Sequence, residues 1–267
     1  MYREHCVMTE VRNGRGSMEQ QERPYQTIAE RLLAEVADLY RLKLDIPTLL
    51  GLSPIEPGDA ADLLADVLAS AATGQSDAAR LRYHAMEAFK ADAESFGAAL
   101  VDIETTARKN FEPGGLSATL LYSRGVHAVL AHRVAHFYWT TDERDLALAL
   151  KAVFGRAFST DIHPAARFGK GIWLDHGLGF VVGETAIIGD DVSIWHGVTL
   201  GSTLKDSGER RHPRLGSGVT VGADAVLLGG IDVGAGAVIA AGSVVLKPVP
   251  KCTTVAGIPA RVVGEAG

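Results

Sequence analysis

The sequence predicts an α+β protein in which an all-helical N-terminal domain is followed by a parallel β-helix of hexapeptide repeats. Apolar residues recur every three or four positions between residues 25 and 158, which is the spacing of amphipathic helices. Beyond residue 158 they recur every six positions, and most of the 30 glycines lie in this second half. The change of period marks a boundary between two architectures.

The N-terminal part divides into a tail and a helical domain. Residues 1–24 are polar and rich in Gly, Arg and Glu, which predicts a flexible tail. Residues 25–158 are predicted to form a helical domain of about six segments. The breaks fall at prolines and glycines: Pro47, Pro54, Pro57, Gly74 and Pro113-Gly114-Gly115.

Residues 159–267 are predicted to form the β-helix. Twelve positions at six-residue steps carry Phe or an aliphatic residue, and glycine follows seven of them. The twelve are Ile162, Phe168, Leu174, Val182, Ile188, Ile194, Leu200, Leu215, Val221, Leu227, Val233 and Ile239. One bulky side chain per step fills a narrow interior, and the glycine permits the backbone angles of a corner. An antiparallel sandwich with glycine turns, the alternative, predicts period-two alternation and longer strands.

Two interruptions of the six-residue register serve no structural need of a coil. Between Leu174 and Val182 the step is eight residues, around Asp175-His176-Gly177. A polar excursion runs from Ser202 to Arg214. Because insertions in repeat proteins gather on the working face, we expect functional residues at both places.

Composition and charge exclude several classes of protein. The chain has 26 Lys and Arg against 32 Asp and Glu, a net charge of −6, so no global positive field binds nucleic acid or an anionic membrane. No apolar run approaches the roughly 18 residues of a membrane span, and the N-terminus lacks the apolar core of a signal peptide. The two cysteines, Cys6 and Cys252, make neither a disulfide framework nor a CxxC metal pair. A cytoplasmic protein without nucleic-acid or membrane partners is expected.

The hexapeptide pattern resembles that of the left-handed parallel β-helix acyltransferases, and the predicted handedness rests on this resemblance alone. More specific strings resemble the serine O-acetyltransferase family, which acetylates serine on the way to cysteine. They are Asp161-Ile-His-Pro-Ala-Ala, Leu174-Asp-His-Gly-Leu-Gly, Val182-Gly-Glu-Thr-Ala, Val198-Thr-Leu-Gly, Arg211-His-Pro and Ala256-Gly-Ile-Pro-Ala-Arg. The resemblance runs from about Phe111 to Val263.

Acetyl transfer from a thioester to an alcohol requires a group that removes the hydroxyl proton, and a neutral imidazole is suited to this at neutral pH. The resemblance implies that His176, at the eight-residue step, is this general base. It implies that Asp161 is the partner that orients the ring, on the same face one coil away. Since no Cys or Ser is well placed as a nucleophile, direct transfer in a ternary complex is expected.

The amino-acid substrate needs an anion for its ammonium group and cations for its carboxylate. By resemblance, Asp175 is the ammonium ligand, and Arg211 and His212 in the excursion are the carboxylate ligands. A further family acid lies in an Asp-Pro-Ala string, and Glu112 is its nearest match here. The family site lies between subunits of a trimer, so these groups are expected to come from different chains.

Acetyl-CoA is the implied co-substrate, and no permanently bound cofactor is predicted. The resemblance places its pantetheine arm along the outside of the coil, with backbone contacts at Gly201, Gly222 and Ala241. Its phosphates are expected to meet Lys205, Lys247 and Arg261.

Histidines elsewhere in the coil raise the question of a metal. Once the two-residue slip is removed, His196 lies one coil from His176, so the two imidazoles are expected to stack. Together with His163 and His212 they suggest zinc, as in the β-helix carbonic anhydrases. The tight His-x4-His spacing of those enzymes is absent, so no metal is predicted.

The resemblance also implies partners. A trimer, or a dimer of trimers joined by the helical domains, is expected. Members often end in a tail with a terminal isoleucine that docks into cysteine synthase, whereas this sequence ends in Gly264-Glu-Ala-Gly267, which argues against that complex. Two other functions stay open: the same fold acetylating homoserine, another hydroxy amino acid or a sugar, and a non-catalytic trimeric scaffold.

Overall fold

The computed structural model describes residues 18–55, 57–72, 74, 77–110, 113–203 and 208–266. Within these residues eight helices come first and fifteen short strands follow, as the change of period predicts. The helices are α1 (Met18–Leu42), α2 (Asp45–Leu49), α3 (Ala60–Ala71), α4 (Ala78–Ala91), α5 (Ala93–Lys109), α6 (Gly115–Tyr122), α7 (Arg124–Thr140) and α8 (Arg144–Phe158). None of the described helices is long and apolar enough to span a membrane.

The first helix starts earlier than predicted. α1 begins at Met18, so residues 18–24 of the expected tail are helical. Met, Glu, Gln and Arg, which make up most of this stretch, are strong helix formers even where no apolar period is visible. Residues 1–17 lie outside the described residues.

The prediction of about six helical segments was wrong, because two apparently continuous stretches each contain a helix start. Asp92 accepts a hydrogen bond from the Ser95 N–H at 2.9 Å and caps α5. Ser123 accepts one from the Val126 N–H at 3.4 Å and caps α7. Such caps set helix boundaries that apolar spacing alone does not reveal.

Helix α7 lies at the centre of the helical domain and packs against the coil. Every residue from Gly125 to Ala135 is buried, as expected for a helix covered on all sides. Burial is the main cause that lowers the pKa of His127 and His132 on this helix. Both imidazoles are therefore neutral at neutral pH.

One buried ion pair joins the helical domain to the coil. Arg133 Nε of α7 donates to Asp102 Oδ2 of α5 at 2.7 Å, and Arg133 Nη2 donates to the Gly169 carbonyl at 2.6 Å. Asp102 Oδ1 accepts from the Ile172 N–H at 2.8 Å. Two helices and one corner of the coil thus meet at a single carboxylate and guanidinium.

The strands form three parallel stacks around the coil. They are β1 (Asp161–Ile162), β2 (Arg167–Phe168), β3 (Trp173–Leu174), β4 (Val181–Val182), β5 (Ile187–Ile188), β6 (Ser193–Ile194), β7 (Thr199–Gly201), β8 (Arg214–Leu215), β9 (Thr220–Val221), β10 (Val226–Leu228), β11 (Asp232–Val233), β12 (Val238–Ile239), β13 (Val244–Val245), β14 (Thr253–Gly257) and β15 (Ala260–Glu265). The first stack contains β1, β4, β7, β10 and β13, the second β2, β5, β8 and β11, and the third β3, β6, β9, β12, β14 and β15. From β1 to β13 every third strand returns to the same stack, so the coil has three sides.

The pairing register confirms the two interruptions. Val181 pairs with Thr199, 18 residues on, which is one regular coil. Asp161 pairs with Val181, so the coil that starts at Asp161 is two residues longer than a regular one. Ile187 pairs with Arg214, so the coil that starts at Ile187 is nine residues longer than a regular one.

The interior of the coil confirms the six-residue register. Eleven of the twelve predicted apolar positions are buried. The exception, Phe168, is half-buried and packs its ring 4.0 Å from that of His132 on α7. The end of the coil was not predicted: β14 and β15 form an antiparallel hairpin that extends the third stack.

Candidate functional site

The eight-residue step places Asp175 and His176 in the connection between β3 and β4. His176 has a positive φ of 60° and Gly177 one of 77°, so the backbone leaves the regular coil here. The His176 side chain is 66% exposed, whereas that of Asp175 is 17% exposed. Asp175 Oδ2 lies 3.4 Å from His176 Nε2. A non-glycine residue in this backbone region is uncommon and is often functional.

A cleft of about 270 Å³ opens beside these two residues. The coil contributes Asp175, His176 and Leu178 to its wall. The helical domain contributes Asn110, Ala118, Thr119, Tyr122, Ser123 and Arg124, from the end of α5, from α6 and from the start of α7. The cleft therefore lies between the two domains and has the size of a small-molecule site. Glu112, predicted to read the amino acid, lies outside the described residues.

The close approach of α7 to the coil forms one side of this cleft. A Cβ on Gly125 would lie 1.8 Å from the Leu174 carbonyl oxygen, directly before Asp175. A Cβ on Gly177 would lie 3.2 Å from the Gly125 Cα. Only a residue without a side chain permits this contact.

We expect Gly125→Ala to destabilise the protein by about 1–3 kcal/mol, as for an overpacked core, and to lower kcat/KM in acetyl transfer. The added methyl group forces α7 away from the connection that carries Asp175 and His176. Urea unfolding and steady-state kinetics measure the two effects. Gly58→Ala, where an added Cβ meets no atom within 4 Å, is the control. Unchanged stability in Gly125→Ala would contradict the close contact.

His196 lies beside His176, as the coil length predicts, but the two rings are tilted and not stacked. Their ring centroids lie 5.8 Å apart with the planes tilted by 58°. His196 Nδ1 is buried and has no hydrogen-bond partner among the described atoms. The role of this second imidazole was left open by the sequence.

Asp161, the predicted partner of His176, makes a different contact. Its Oδ1 lies 2.5 Å from Lys151 Nζ on α8. Asp161 is at the start of β1, and its N–H donates to the Phe180 carbonyl at the end of the connection that carries His176. Among the described ion pairs, His176 contacts Asp175 and Asp161 contacts Lys151, so the pairing of His176 with Asp161 stays a prediction.

Arg211 and His212 lie at another corner, where the first stack leads into the second. Arg211 Nη2 donates to Glu184 Oε2 at 2.6 Å, and this hydrogen bond is the main cause that lowers the pKa of Glu184. His212 Nδ1 accepts from the Thr185 N–H at 3.1 Å, which leaves the proton of the neutral ring on Nε2. Burial, aided by the Arg211 charge, lowers the pKa of His212. The corner thus holds a guanidinium that is hydrogen-bonded to Glu184 and a buried neutral imidazole with its proton on Nε2.

The approach of His212 explains a glycine of the hexapeptide pattern. A Cβ on Gly183 would lie 1.9 Å from His212 Nε2. The Thr185 hydroxyl accepts from the N–H groups of Arg211 and His212 at 3.2 and 3.1 Å. Glu184 and Thr185 belong to the string Val182-Gly-Glu-Thr-Ala, so the sequence contained a signal for this corner, although sequence reasoning assigned them no role.

The single chain does not bring the two groups into one cleft. Asp175 and His176 lie where the third stack leads into the first, and Arg211 and His212 lie where the first leads into the second. These corners are at opposite edges of the first stack. Within the described residues of one chain, the cleft beside His176 includes neither Arg211 nor His212.

The residues predicted to bind acetyl-CoA are similarly divided. Gly222 and Ala241 follow strands of the third stack, on the same side of the coil as His176, and a Cβ on Gly222 would lie 2.6 Å from the Ala241 N atom. Gly201 ends β7 and the exposed Lys247 follows β13, both in the first stack, on the side of Arg211. Arg261 is exposed on β15, and Lys205 lies outside the described residues. No single surface of one chain contains all five of these residues that the structure describes.

Metal ligation has no support among the residues that the structure describes. No group of three or more His, Cys, Asp or Glu side chains there is arranged to hold a metal ion. The histidines of the coil instead contact carboxylates, backbone groups or each other.

The chain is similar in sequence to known transferases. The family model described as bacterial transferase hexapeptide (six repeats) matches residues 212–247. The serine acetyltransferase of Salmonella typhimurium is 51% identical over 181 residues, which cover 68% of this chain and 66% of that protein, just under two thirds of its length.

Solved structures extend the comparison to the helical domain. The crystal structure of serine acetyltransferase from Vibrio cholerae has a TM-score of 0.84 and 40% identity, and the match covers 91% of this chain and 94% of that one. Serine acetyltransferase from Brucella abortus in complex with coenzyme A has a TM-score of 0.83 and 38% identity, covering 94% and 99%. These matches fit a left-handed β-helix and confirm the predicted fold class. By this similarity across both domains, the chain belongs to the serine acetyltransferase family.

Proposed function

We propose that the protein transfers an acetyl group from acetyl-CoA to the side-chain hydroxyl of L-serine and releases O-acetylserine and free coenzyme A. The observation that carries this proposal is the cleft between the domains, with an exposed imidazole and a shielded carboxylate side by side on its wall. An exposed imidazole can accept a proton from a bound alcohol, and a carboxylate beside it can bind an ammonium group.

His176 is the proposed general base. It removes the hydroxyl proton as the serine oxygen attacks the thioester carbonyl, and the thiolate of coenzyme A leaves. Asp175, 3.4 Å from the imidazole, is the proposed ligand of the serine ammonium group. Asp161 is the proposed partner that orients the ring and stabilises the imidazolium. For this role the exposed imidazole must turn from Asp175 towards Asp161.

We assign carboxylate binding to Arg211 and His212 of a neighbouring copy. Their guanidinium and Nε2–H donor suit a carboxylate, and they lie across the first stack from His176 in one chain. In a trimer whose coils pack side by side, the corner that carries His176 in one copy would face the corner that carries Arg211 and His212 in the next. A dimer of such trimers, joined by the helical domains, is the larger assembly that we propose.

Acetyl-CoA is the proposed donor, supported by the coenzyme A complex of the Brucella abortus relative. Gly222 and Ala241 lie on the side of the coil that carries His176, and their small side chains let a pantetheine arm approach the backbone. Gly201 and Lys247 are proposed to contact the same ligand from the neighbouring copy. Arg261 and Lys205 are the remaining proposed phosphate ligands.

The test measures free thiol released from acetyl-CoA by the purified full chain. We expect release to begin on addition of L-serine and to stay near background with homoserine, threonine or a sugar. Efficient release with homoserine or a sugar instead of serine would assign the fold to another acceptor. No release with any acceptor, while coenzyme A still binds, would indicate a non-catalytic protein and overturn the proposal.

A further inference from the structure

Lys151 is the residue that contacts Asp161. It lies on α8, and its Nζ is 2.5 Å from Asp161 Oδ1 at the start of β1. The Lys151 side chain is 27% exposed, whereas that of Asp161 is 62% exposed. A mostly buried lysine therefore presents its ammonium group to a carboxylate that is mostly in solvent.

The surroundings of Lys151 fix the direction of its side chain. Lys151 lines a small cavity of about 20 Å³ together with His132 of α7, Phe154 of α8 and Ile162 of β1. An aliphatic stem among such neighbours has fewer rotamers than one in water. The ammonium position is thus set by the packing of α7 and α8 on the coil.

The ion pair uses one oxygen of the Asp161 carboxylate and leaves the other without a partner among the described residues. Oδ1 binds Lys151, and Oδ2 makes no hydrogen bond or ion pair with another described residue. The Asp161 N–H donates to the Phe180 carbonyl, which ends the connection that carries His176. Oδ2 therefore remains available on the side of the coil where His176 lies.

We propose that Lys151 is a positioning residue that holds Asp161 Oδ1 so that Oδ2 can orient the His176 imidazole. The proposal rests on the proposed function, because it acts through the pairing of Asp161 with His176. A solvent-exposed aspartate without this anchor samples several rotamers, and ordering its side chain when substrate binds has an entropic cost. In the presence of Lys151 this ordering is complete before substrate binds.

The experiment compares Lys151→Met with the wild-type chain in steady-state acetyl transfer. We expect kcat to fall about tenfold, while KM for serine and for acetyl-CoA stays within about twofold, because Lys151 contacts neither substrate. Lys151→Arg, which keeps the cation, is expected to retain most of the activity. Arg156→Met removes an exposed cation of the same helix and is the charge control. Lys151→Gln replaces the Met variant if that variant does not fold.

A double-mutant cycle with Asp161→Asn separates positioning from a structural tie. If Lys151 acts through Asp161, Lys151→Met lowers kcat in the wild-type chain and has no further effect in the Asp161→Asn chain. Three results would overturn the proposal: a lower melting temperature with unchanged kcat in Lys151→Met, additive losses of kcat in the double variant, or a higher kcat in Lys151→Met. If Asp161→Asn itself leaves kcat unchanged, the proposed role of Asp161 fails first, and the positioning role fails with it.

Discussion

His176→Ala is expected to lower kcat for acetyl transfer to serine by about 10²- to 10⁴-fold, the usual contribution of a general base. The alcohol of serine is barely ionised at neutral pH, so attack on the thioester depends on proton removal in the same step. Water in the cleft is a much weaker base than imidazole. Because the proposed ligands of the amino acid remain in place, KM for serine is expected to change by less than about threefold.

Two further variants test whether the loss of activity comes from the His176 imidazole itself. His176→Asn keeps a polar side chain of similar size without a group that accepts the proton, and it is expected to be as inactive as His176→Ala. His84→Ala removes a partly buried imidazole of α4 in the helical domain and is expected to retain activity. Activity of His176→Ala within about fivefold of the wild-type value would refute the proposed base, whatever the acceptor.

The position of His176 could be predicted because an insertion of two residues leaves a trace in a strict repeat. The structure places that residue at a positive φ in the wall of the cleft. The same argument identified the excursion with Arg211 and His212, but it did not show that the two interruptions fall at different corners of one chain. Corner assignment follows from counting strands: one interruption precedes β4 in the first stack, and the other precedes β8 in the second.

The contact between Lys151 and Asp161 could not be predicted from the sequence. The hexapeptide register fixes where Asp161 lies along the coil, but the rotation of α8 against the coil depends on tertiary packing. Lys151 in its helix has the spacing of an ordinary surface lysine. For the same reason, the cleft residues of α6 and α7, such as Tyr122 and Arg124, had no signal in the repeat.

The coil was more predictable than the helical domain. In the coil every step repeats the same local requirement, so eleven of twelve interior positions were identified correctly. In the helical domain the starts of α5 and α7 depend on single capping residues, Asp92 and Ser123. The β14–β15 hairpin pairs with β12 of the third stack but does not continue the six-residue period, so it left no periodic trace.

The largest expected loss of stability comes from the contact between the two domains. Asp102→Ala is expected to lower the free energy of unfolding by about 3–5 kcal/mol, because removal of one partner leaves the other charge buried and unpaired. The Asp102 and Arg133 side chains are 1% and 7% exposed. The substitution also removes the acceptor of the Ile172 N–H, which ties the coil to α5. Urea unfolding followed by circular dichroism measures the change.

Comparison with an exposed pair tests whether burial is the cause. Asp38→Ala breaks the ion pair with Arg41 on α1, whose side chains are 67% and 65% exposed, and is expected to cost at most about 1 kcal/mol. The double variant Asp102→Leu/Arg133→Met removes both buried charges and is expected to be more stable than Asp102→Ala. It should remain below the wild-type protein, because the Ile172 N–H and the Gly169 carbonyl still lose their partners. Equal losses in Asp102→Ala and Asp38→Ala would mean that the buried pair contributes no more to stability than a surface contact does.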